Sequence, residues 1–185
     1  MLIALDFESE AIEPRPKYPP VPVGLAVMPD GNEGWYNAWG HPSFNNTTKD
    51  STGRALERVL SNEEDEFIFH NAPFDCDIIQ THFNIVVPWD RVHDTMLMAF
   101  MLDPYGELSL KPLAERHLGE PPTEQEEVRQ WLVAHGICSA NAKDWGAHIA
   151  KAPGDLVGRY AIGDVRKTLN LYKFFKPKLA HRRMI

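Results

Sequence analysis

Short strand-like runs come first in this chain and longer helical patterns follow, and that order narrows the possible folds more than any other property of the sequence. The runs "MLIAL", "VGLAVMP" and "GWYNAWG" have the length and composition of buried strands. The segment "DGNEG" between the second and third runs has hairpin-turn composition. We therefore expect the first three strands to form a meander.

The rest of the chain contains one more strand-like run among helical patterns. "TGRALERVL" has helical spacing, "EFIFH" is a short apolar run, and "NAPFDCDIIQTHF" is a helical pattern that begins near a plausible cap at Asn71. "HDTMLMAFML" predicts a helix that is apolar on most sides and largely buried. Strands that precede helices predict a mixed α/β fold, with a central mixed sheet flanked by helices, and argue against a regular βαβ alternation.

The length of 185 residues fits one domain with a sizeable core. We therefore predict a single domain over residues 1–185. Residues 119–153 are the most polar part of the chain and are a candidate helical insertion within that domain.

Composition excludes several classes of protein. There is no apolar run of about 18 residues that could span a bilayer, so we expect no membrane association. The first residues, "MLIALDFESE", lack the basic start of a secretory signal, which together with only two cysteines favours the cytoplasm. The formal charge of −7 argues against a protein that coats nucleic acid by neutralising phosphates, although bound cations could support local contact.

Four acidic residues could form a shared site if the fold brings them together. Asp6 and Glu8 are two residues apart on a strand, so their carboxylates face the same side of the sheet. Asp75 opens a predicted helix, and Asp164 lies in the last one. Converging carboxylates suit hard divalent cations such as Mg²⁺ or Mn²⁺, and two such ions suit phosphodiester hydrolysis. Zinc is disfavoured because the histidines lack its usual ligand spacings.

Tyr160 stands four residues before Asp164 in the run "YAIGDVRKT", which places a phenol and a carboxylate on one helix face. Taken separately, these residues also have structural interpretations. Asp75 could be an ordinary acid at a helix start, Asp77 could take its place in the site, and Tyr160 could be a core aromatic residue.

Together, the motifs carry a family resemblance. "DFE", "HNAPFD" and "YAIGD" resemble, in order, the three motifs of the DnaQ-like DEDD 3′–5′ exonucleases. "SLKPLAERHLG" resembles an element of the proofreading domains of family A and phage DNA polymerases. The resemblance implies a ribonuclease H-like fold and a two-metal reaction that releases nucleoside 5′-monophosphates from a 3′ end.

The resemblance also implies roles for individual residues. In the tyrosine subclass, which this sequence resembles, Asp6, Glu8, Asp75 and Asp164 would bind two Mg²⁺ or Mn²⁺ ions, and Tyr160 would orient the attacking water. The same likeness makes five residues candidate substrate contacts: Phe7, Ser9, Asn71, Phe74 and Lys111. Further candidate phosphate contacts are Arg15, Lys17 and Arg166.

Three functions remain open from the sequence. The first is a 3′–5′ exonuclease acting on single-stranded or frayed DNA ends, with proofreading beside a DNA polymerase domain or subunit as its expected role. The basic tail "KLAHRRMI" is compatible with such a domain following. The second is a ribonuclease D-like exoribonuclease, since "YAIGDVRKT" resembles that group too. The third is a non-catalytic nucleic-acid-binding domain. The "SLKPLAERHLG" element favours DNA.

Overall fold

The computed structural model describes residues 1–121 and 123–181. The strands are β1 (Leu2–Ser9), β2 (Pro22–Pro29), β3 (Trp35–Ala38), β4 (Glu66–Phe69) and β5 (Val92–Asp94). The helices are α1 (Lys49–Leu60), α2 (Ala72–Phe83), α3 (Thr95–Leu102), α4 (Leu110–Leu118), α5 (Thr123–Ala134) and α6 (Gly154–His181), with short 3-10 helices at Trp89–Arg91 and Trp145–Lys151. The predicted mixed α/β architecture is confirmed. The last four residues of the basic tail, 182–185, lie outside the described part.

The strands form a five-stranded sheet in the order β3-β2-β1-β4-β5. β2 pairs antiparallel with both β1 and β3, so the predicted meander is confirmed. β4 runs parallel to β1, but their pairing stops at Ala4, before the acidic residues of β1. The pairing register shifts between Glu8 and Ser9, where Val23 of β2 is an extra residue without a partner in β1, as in a β-bulge.

The sheet has a hydrophobic core on each face. Ile3 and Leu5 of β1 belong to the core that includes residues of α1 and α2, whereas Ala4 belongs to the core that includes α6. Because side chains alternate along a strand, Asp6 and Glu8 follow Ala4 onto the α6 side. The simple alternation of β1 therefore directs both carboxylates toward the longest helix.

The prediction for residues 93–102 is wrong in two respects. Residues 92–94 form the short strand β5, parallel to β4, and α3 begins only at Thr95. The helix is also less buried than its apolar sequence predicts, because Leu97 is 55% exposed and Phe100 is 47% exposed. Only one face of α3 packs inward, through Thr95, Met98 and Ala99.

The candidate insertion at residues 119–153 contributes to the main core. Val128 and Leu132 of α5 and Ile149 of the second 3-10 helix are buried in the same cluster as α6. Glu124 pairs with Lys167 of α6, whose side chain is 1% exposed. Whether this segment is an insertion stays a prediction. Among the described residues, no helix combines the length and apolar composition that crossing a membrane requires.

The start of α2 is not capped as the sequence predicts. Asn71 occupies the cap position in a left-handed conformation with φ of 71°, and its side chain makes no cap hydrogen bond. The Asp94 carboxylate instead accepts from the backbone N–H groups of Asn71 and Ala72, each at 3.0 Å. It also accepts from Met96 N–H at 2.9 Å in its own helix. One carboxylate therefore caps α2 and α3 together.

We predict that Asp94→Ala lowers the free energy of unfolding by about 2 kcal/mol, because loss of one helix cap typically costs about 1 kcal/mol and two helices lose theirs. Urea unfolding provides the measurement. The exposed neighbour Asp90 supplies the control, Asp90→Ala, which we expect to change stability little. Equal stabilities of the two variants would contradict the shared cap.

Candidate active site

Three carboxyl groups meet where β1 faces α6. One carboxylate oxygen from each of Asp6, Glu8 and Asp164 lies within 4.8 Å of the other two. Glu8 is 8% exposed and Asp164 is 5% exposed, so both are largely shielded from water, whereas Asp6 is half-buried. The two acids of the first motif and the acid of the last motif thus converge.

Close packing of α6 on the sheet makes this meeting possible. A Cβ atom on Gly154 would lie 2.6 Å from the carbonyl oxygen of Phe44, and one on Gly158 would lie 3.2 Å from the Tyr36 ring. The absence of side chains at these two positions lets the first turns of α6 approach the strands. Tyr160 and Asp164 follow at helical spacing along the same helix.

Asp75 joins the site through the backbone of β1. Its side chain is 1% exposed, and its Oδ1 accepts a hydrogen bond from Phe7 N–H at 2.9 Å. Phe7 lies between Asp6 and Glu8, so this bond fixes Asp75 beside the first motif. Asp77, the competing candidate, lies against the Tyr18 phenol, whose pKa is raised by desolvation and by the hydrogen bond to Asp77.

The acids perturb one another because they are buried together. Desolvation, with the nearby charge of Asp164, raises the pKa of Asp6 to about 7. Desolvation and the charge of Asp6 likewise raise the pKa of Glu8 and the pKa of Asp75 well above their usual ranges. Buried carboxylates at such distances require positive charge to remain ionised together. A set of hard oxygen ligands fits Mg²⁺ or Mn²⁺.

Lys111 of α4 lies within this site. Its Nζ donates to Oδ2 of Asp164 and to the Tyr160 hydroxyl, the latter at 2.6 Å. The same Nζ lies 4.3 Å from the centroid of the Tyr160 ring. Among the described residues, Lys111 alone forms an ion pair with any of the four acids.

The other candidate substrate contacts differ in their accessibility. The Phe7 ring is 4% exposed and packs against Phe83 with centroids 5.7 Å apart, so only the backbone of Phe7 faces the acids. Ser9 is also buried, and its Oγ donates to the Glu10 carbonyl. Asn71 is exposed, whereas Phe74 is half-buried beside the α2 core.

The remaining candidate phosphate contacts have partners of their own. Arg166 pairs with Glu124 at 2.7 Å and with Glu120 at 3.6 Å. Lys17 pairs with Glu13 at 2.7 Å. The Arg15 guanidinium lies 5.9 Å from the centroid of the Tyr18 ring. In these contacts, none of the three side chains is directed to one of the four acids.

Sequence reasoning missed Trp145 as a neighbour of the site. Its ring meets the Tyr160 ring edge-on, with centroids 6.1 Å apart. Lys111 and Trp145 therefore both contact the tyrosine. No sequence signal indicates this, because Trp145 begins an irregular 3-10 helix without apolar periodicity.

A separate cleft of about 820 Å³ lies between α4 and the end of α6. Its walls include Leu113, Arg116, Phe174 and Lys178. None of the four acids and not Tyr160 lines it, so the site is defined by converging side chains and not by this cleft.

The sequence matches the 3′–5′ exonuclease family over residues 3–180. A DNA polymerase of Escherichia phage T5 is 30% identical over 132 residues, which span 67% of this chain but only 15% of that polymerase. The chain is thus similar to a small part of a much longer protein.

Two solved structures share the fold. Brucella melitensis NrnC with bound Mg²⁺ has a TM-score of 0.64 at 16% identity, covering 99% of this chain and 75% of that one. The Trypanosoma brucei RNase D:GMP complex has a TM-score of 0.65 at 19% identity, covering 94% of this chain and 50% of that one. These likenesses confirm the expected ribonuclease H-like fold. From the match over nearly all its residues, the chain belongs to the 3′–5′ exonuclease family.

Proposed function

We propose that this chain removes nucleotides from the 3′ end of DNA in a reaction that depends on two divalent cations. The observation that carries the proposal is the meeting of Asp6, Glu8 and Asp164 within 4.8 Å, beside the tyrosine that contacts the same lysine as Asp164. A surplus of buried negative charge at one point is costly unless cations or hydrogen bonds compensate it. Bound cations would supply this compensation.

Asp6, Glu8 and Asp164 would hold one ion, and Asp6 with Asp75 would hold the second. When bound, such ions stabilise phosphoryl oxygens and lower the pKa of water, which is the chemistry that phosphodiester hydrolysis needs. The hydrogen bond from Phe7 N–H keeps Asp75 next to Asp6. The fold thus holds the two parts of the ligand set in fixed relation.

Tyr160 would act as a positioning group and not as a base. Burial and the negative charge of Asp164 raise the pKa of its phenol well above the usual value. The phenol therefore keeps its proton at neutral pH and can orient water by hydrogen bonding. The edge of Trp145 helps to fix the ring that carries this hydroxyl.

DNA is the favoured substrate, because the chain is 30% identical to part of a phage DNA polymerase. We infer that the domain works in the cytoplasm in replication proofreading, beside a polymerase domain or subunit, and releases nucleoside 5′-monophosphates. Asn71 and Phe74 would contact the terminal nucleotide. Exoribonuclease activity is the second candidate, favoured by the fold likeness to RNase D. The presence of all four acids and Tyr160 argues against a purely binding role.

We predict that the chain shortens 5′-labelled single-stranded DNA from the 3′ end with Mg²⁺ or Mn²⁺, and that chelator stops the reaction. Asp6→Ala should reduce the rate by about 10³-fold or more, because it removes a ligand shared by both ions. Tyr160→Phe should reduce it by about 10²-fold, since the positioning hydroxyl is lost. Gel analysis of the products against time measures both effects.

Glu10→Ala is the matched control for Asp6→Ala, because Glu10 is an exposed acid just beyond the β-bulge. It should cleave as fast as the wild type. A matched RNA in parallel reactions decides between the two candidate substrates. If the folded wild type cleaves neither polymer with either metal, the proposed function is wrong.

We also predict a specific pH dependence of stability in the metal-free protein. The pKa of Asp6 is about 7 in the folded protein and near 3.8 in the unfolded chain. Between these pH values the folded state therefore carries one more proton than the unfolded state. This group therefore destabilises the fold progressively as pH rises from about 4 to about 7. In chelator, the melting temperature of Asp6→Asn minus that of the wild type should increase over this range.

Adding Mg²⁺ or Mn²⁺ at about pH 8 should narrow that difference in melting temperature. Saturation to about 100 times Kd stabilises a protein by about 2.7 kcal/mol, which corresponds to roughly 5–10 °C for a domain of this size. The wild type should gain this increase and Asp6→Asn should not. A wild type whose melting temperature ignores both pH and divalent cation would contradict the proposed ligand set.

A further inference from the structure

The positive charge of Lys111 is not stabilised by the helix that carries it. It is the second residue of α4, whose first turn contains no acidic residue. The positive end of the helix dipole makes this a poor position for a cation. Its side chain is nevertheless only 19% exposed and is directed to Asp164, whose side chain is 7% exposed. The compensation comes from the acid cluster.

The backbone that carries Lys111 is anchored independently of the site. Leu113 and Ala114, on the same helix, are both buried, and Leu113 belongs to the core that includes α6. The four-carbon side chain is the flexible part, so the ammonium group can move while α4 stays in place. A movement away from Asp164 needs no change of fold.

We propose that Lys111 is an exchangeable counter-ion: its ammonium group holds Asp164 when the site lacks metal, yields that carboxylate to a divalent cation, and then binds a phosphate of the substrate end. The inference rests on the proposed metal-dependent reaction. It assigns Lys111 a second role beyond substrate contact, because the same charge opposes metal binding until it leaves Asp164.

The exchange follows from the shared carboxylate. Lys111 bonds Oδ2 of Asp164, and a carboxylate oxygen of Asp164 belongs to the group that lies within 4.8 Å of Asp6 and Glu8. A metal ion in that group would lie beside the ammonium, and two positive charges at such separations repel each other. By linkage, the ammonium bound to Asp164 lowers the affinity for the metal by the same factor as the metal lowers the affinity of Asp164 for the ammonium.

The proposed phosphate contact follows from the interactions that Lys111 keeps once a metal ion binds Asp164. The Tyr160 hydroxyl, 2.6 Å from Nζ, keeps the ammonium at the edge of the site. An ammonium with three donors and no carboxylate partner is suited to a phosphate oxygen. Substrate arriving after the metal would thus meet a lysine already released toward it.

The first test measures metal affinity without any substrate. Mn²⁺ is titrated calorimetrically at about pH 8, above the pKa of about 7 of Asp6, into wild type, Lys111→Met and Lys111→Arg. Lys111→Met should bind the ion about tenfold more tightly, within the 5–150-fold range typical of coupled sites. Lys111→Arg keeps the charge and should stay close to the wild type.

The matched control is Lys178→Met, which removes the same charge from an exposed position 14 residues beyond Asp164 on α6, about 21 Å along the helix. It should leave metal affinity and cleavage unchanged. If Lys111→Met binds Mn²⁺ no more tightly than the wild type and this control, the proposed exchange is overturned.

The second test measures cleavage of single-stranded DNA at saturating metal. Lys111→Met should lose about 10-fold or more in kcat/KM, mainly through a higher KM, because a phosphate contact is missing while the metal is held more firmly. Lys111→Arg should recover most of the loss. A lysine that only supports the fold would instead weaken metal binding and cleavage together, which would overturn the inference.

The two hypotheses fail in different ways. If the wild type neither binds Mn²⁺ nor cleaves DNA or RNA, the proposed function is wrong and the exchange falls with it. If the wild type cleaves with metal but Lys111→Met has unchanged metal affinity, the nuclease stands and only the exchange is wrong.

Discussion

Repulsion among carboxylates at the contact between β1 and α6 is the constraint around which this domain is organised. A protein gains nothing in stability by burying Asp6, Glu8 and Asp164 together, because desolvation and like charge both oppose it. Strand pairing and the apolar cores on the two sheet faces must therefore hold the acids in place. The fold supplies the stability that the site itself removes.

Several contacts in different parts of the chain maintain this arrangement. Phe7 N–H fixes Asp75, and the Asp94 carboxylate caps the helix that carries Asp75. Gly154 lets α6 approach the sheet closely. Lys111 of α4 supplies positive charge to Asp164. Each contact acts on one acid, so the geometry depends on β1, α2, α4 and α6 being packed together.

The sequence predicts those parts of the site that follow from local periodicity. Alternation along a strand puts Asp6 and Glu8 on one face, and helical spacing joins Tyr160 to Asp164. The convergence itself was inferred from the family resemblance, since spacing alone does not bring a strand and a distant helix together. The cap by Asp94 and the edge contact of Trp145 were missed, because both join residues that are distant in sequence or lie in irregular segments. The exposure of α3 was missed because an apolar sequence does not show which face a neighbour covers.

The β-bulge after Glu8 has a consequence for how the sequence of this domain can vary. In a strand, a shift of one residue would turn both acids to the opposite face of the sheet. The bulge lies between Glu8 and Ser9, directly before the proline-rich segment that leads to β2. An extra residue in that segment can be taken up at an irregularity that already exists. Insertions and deletions in the loop are thereby uncoupled from the register of the acids, and the loop is free to diversify while the chemistry is retained.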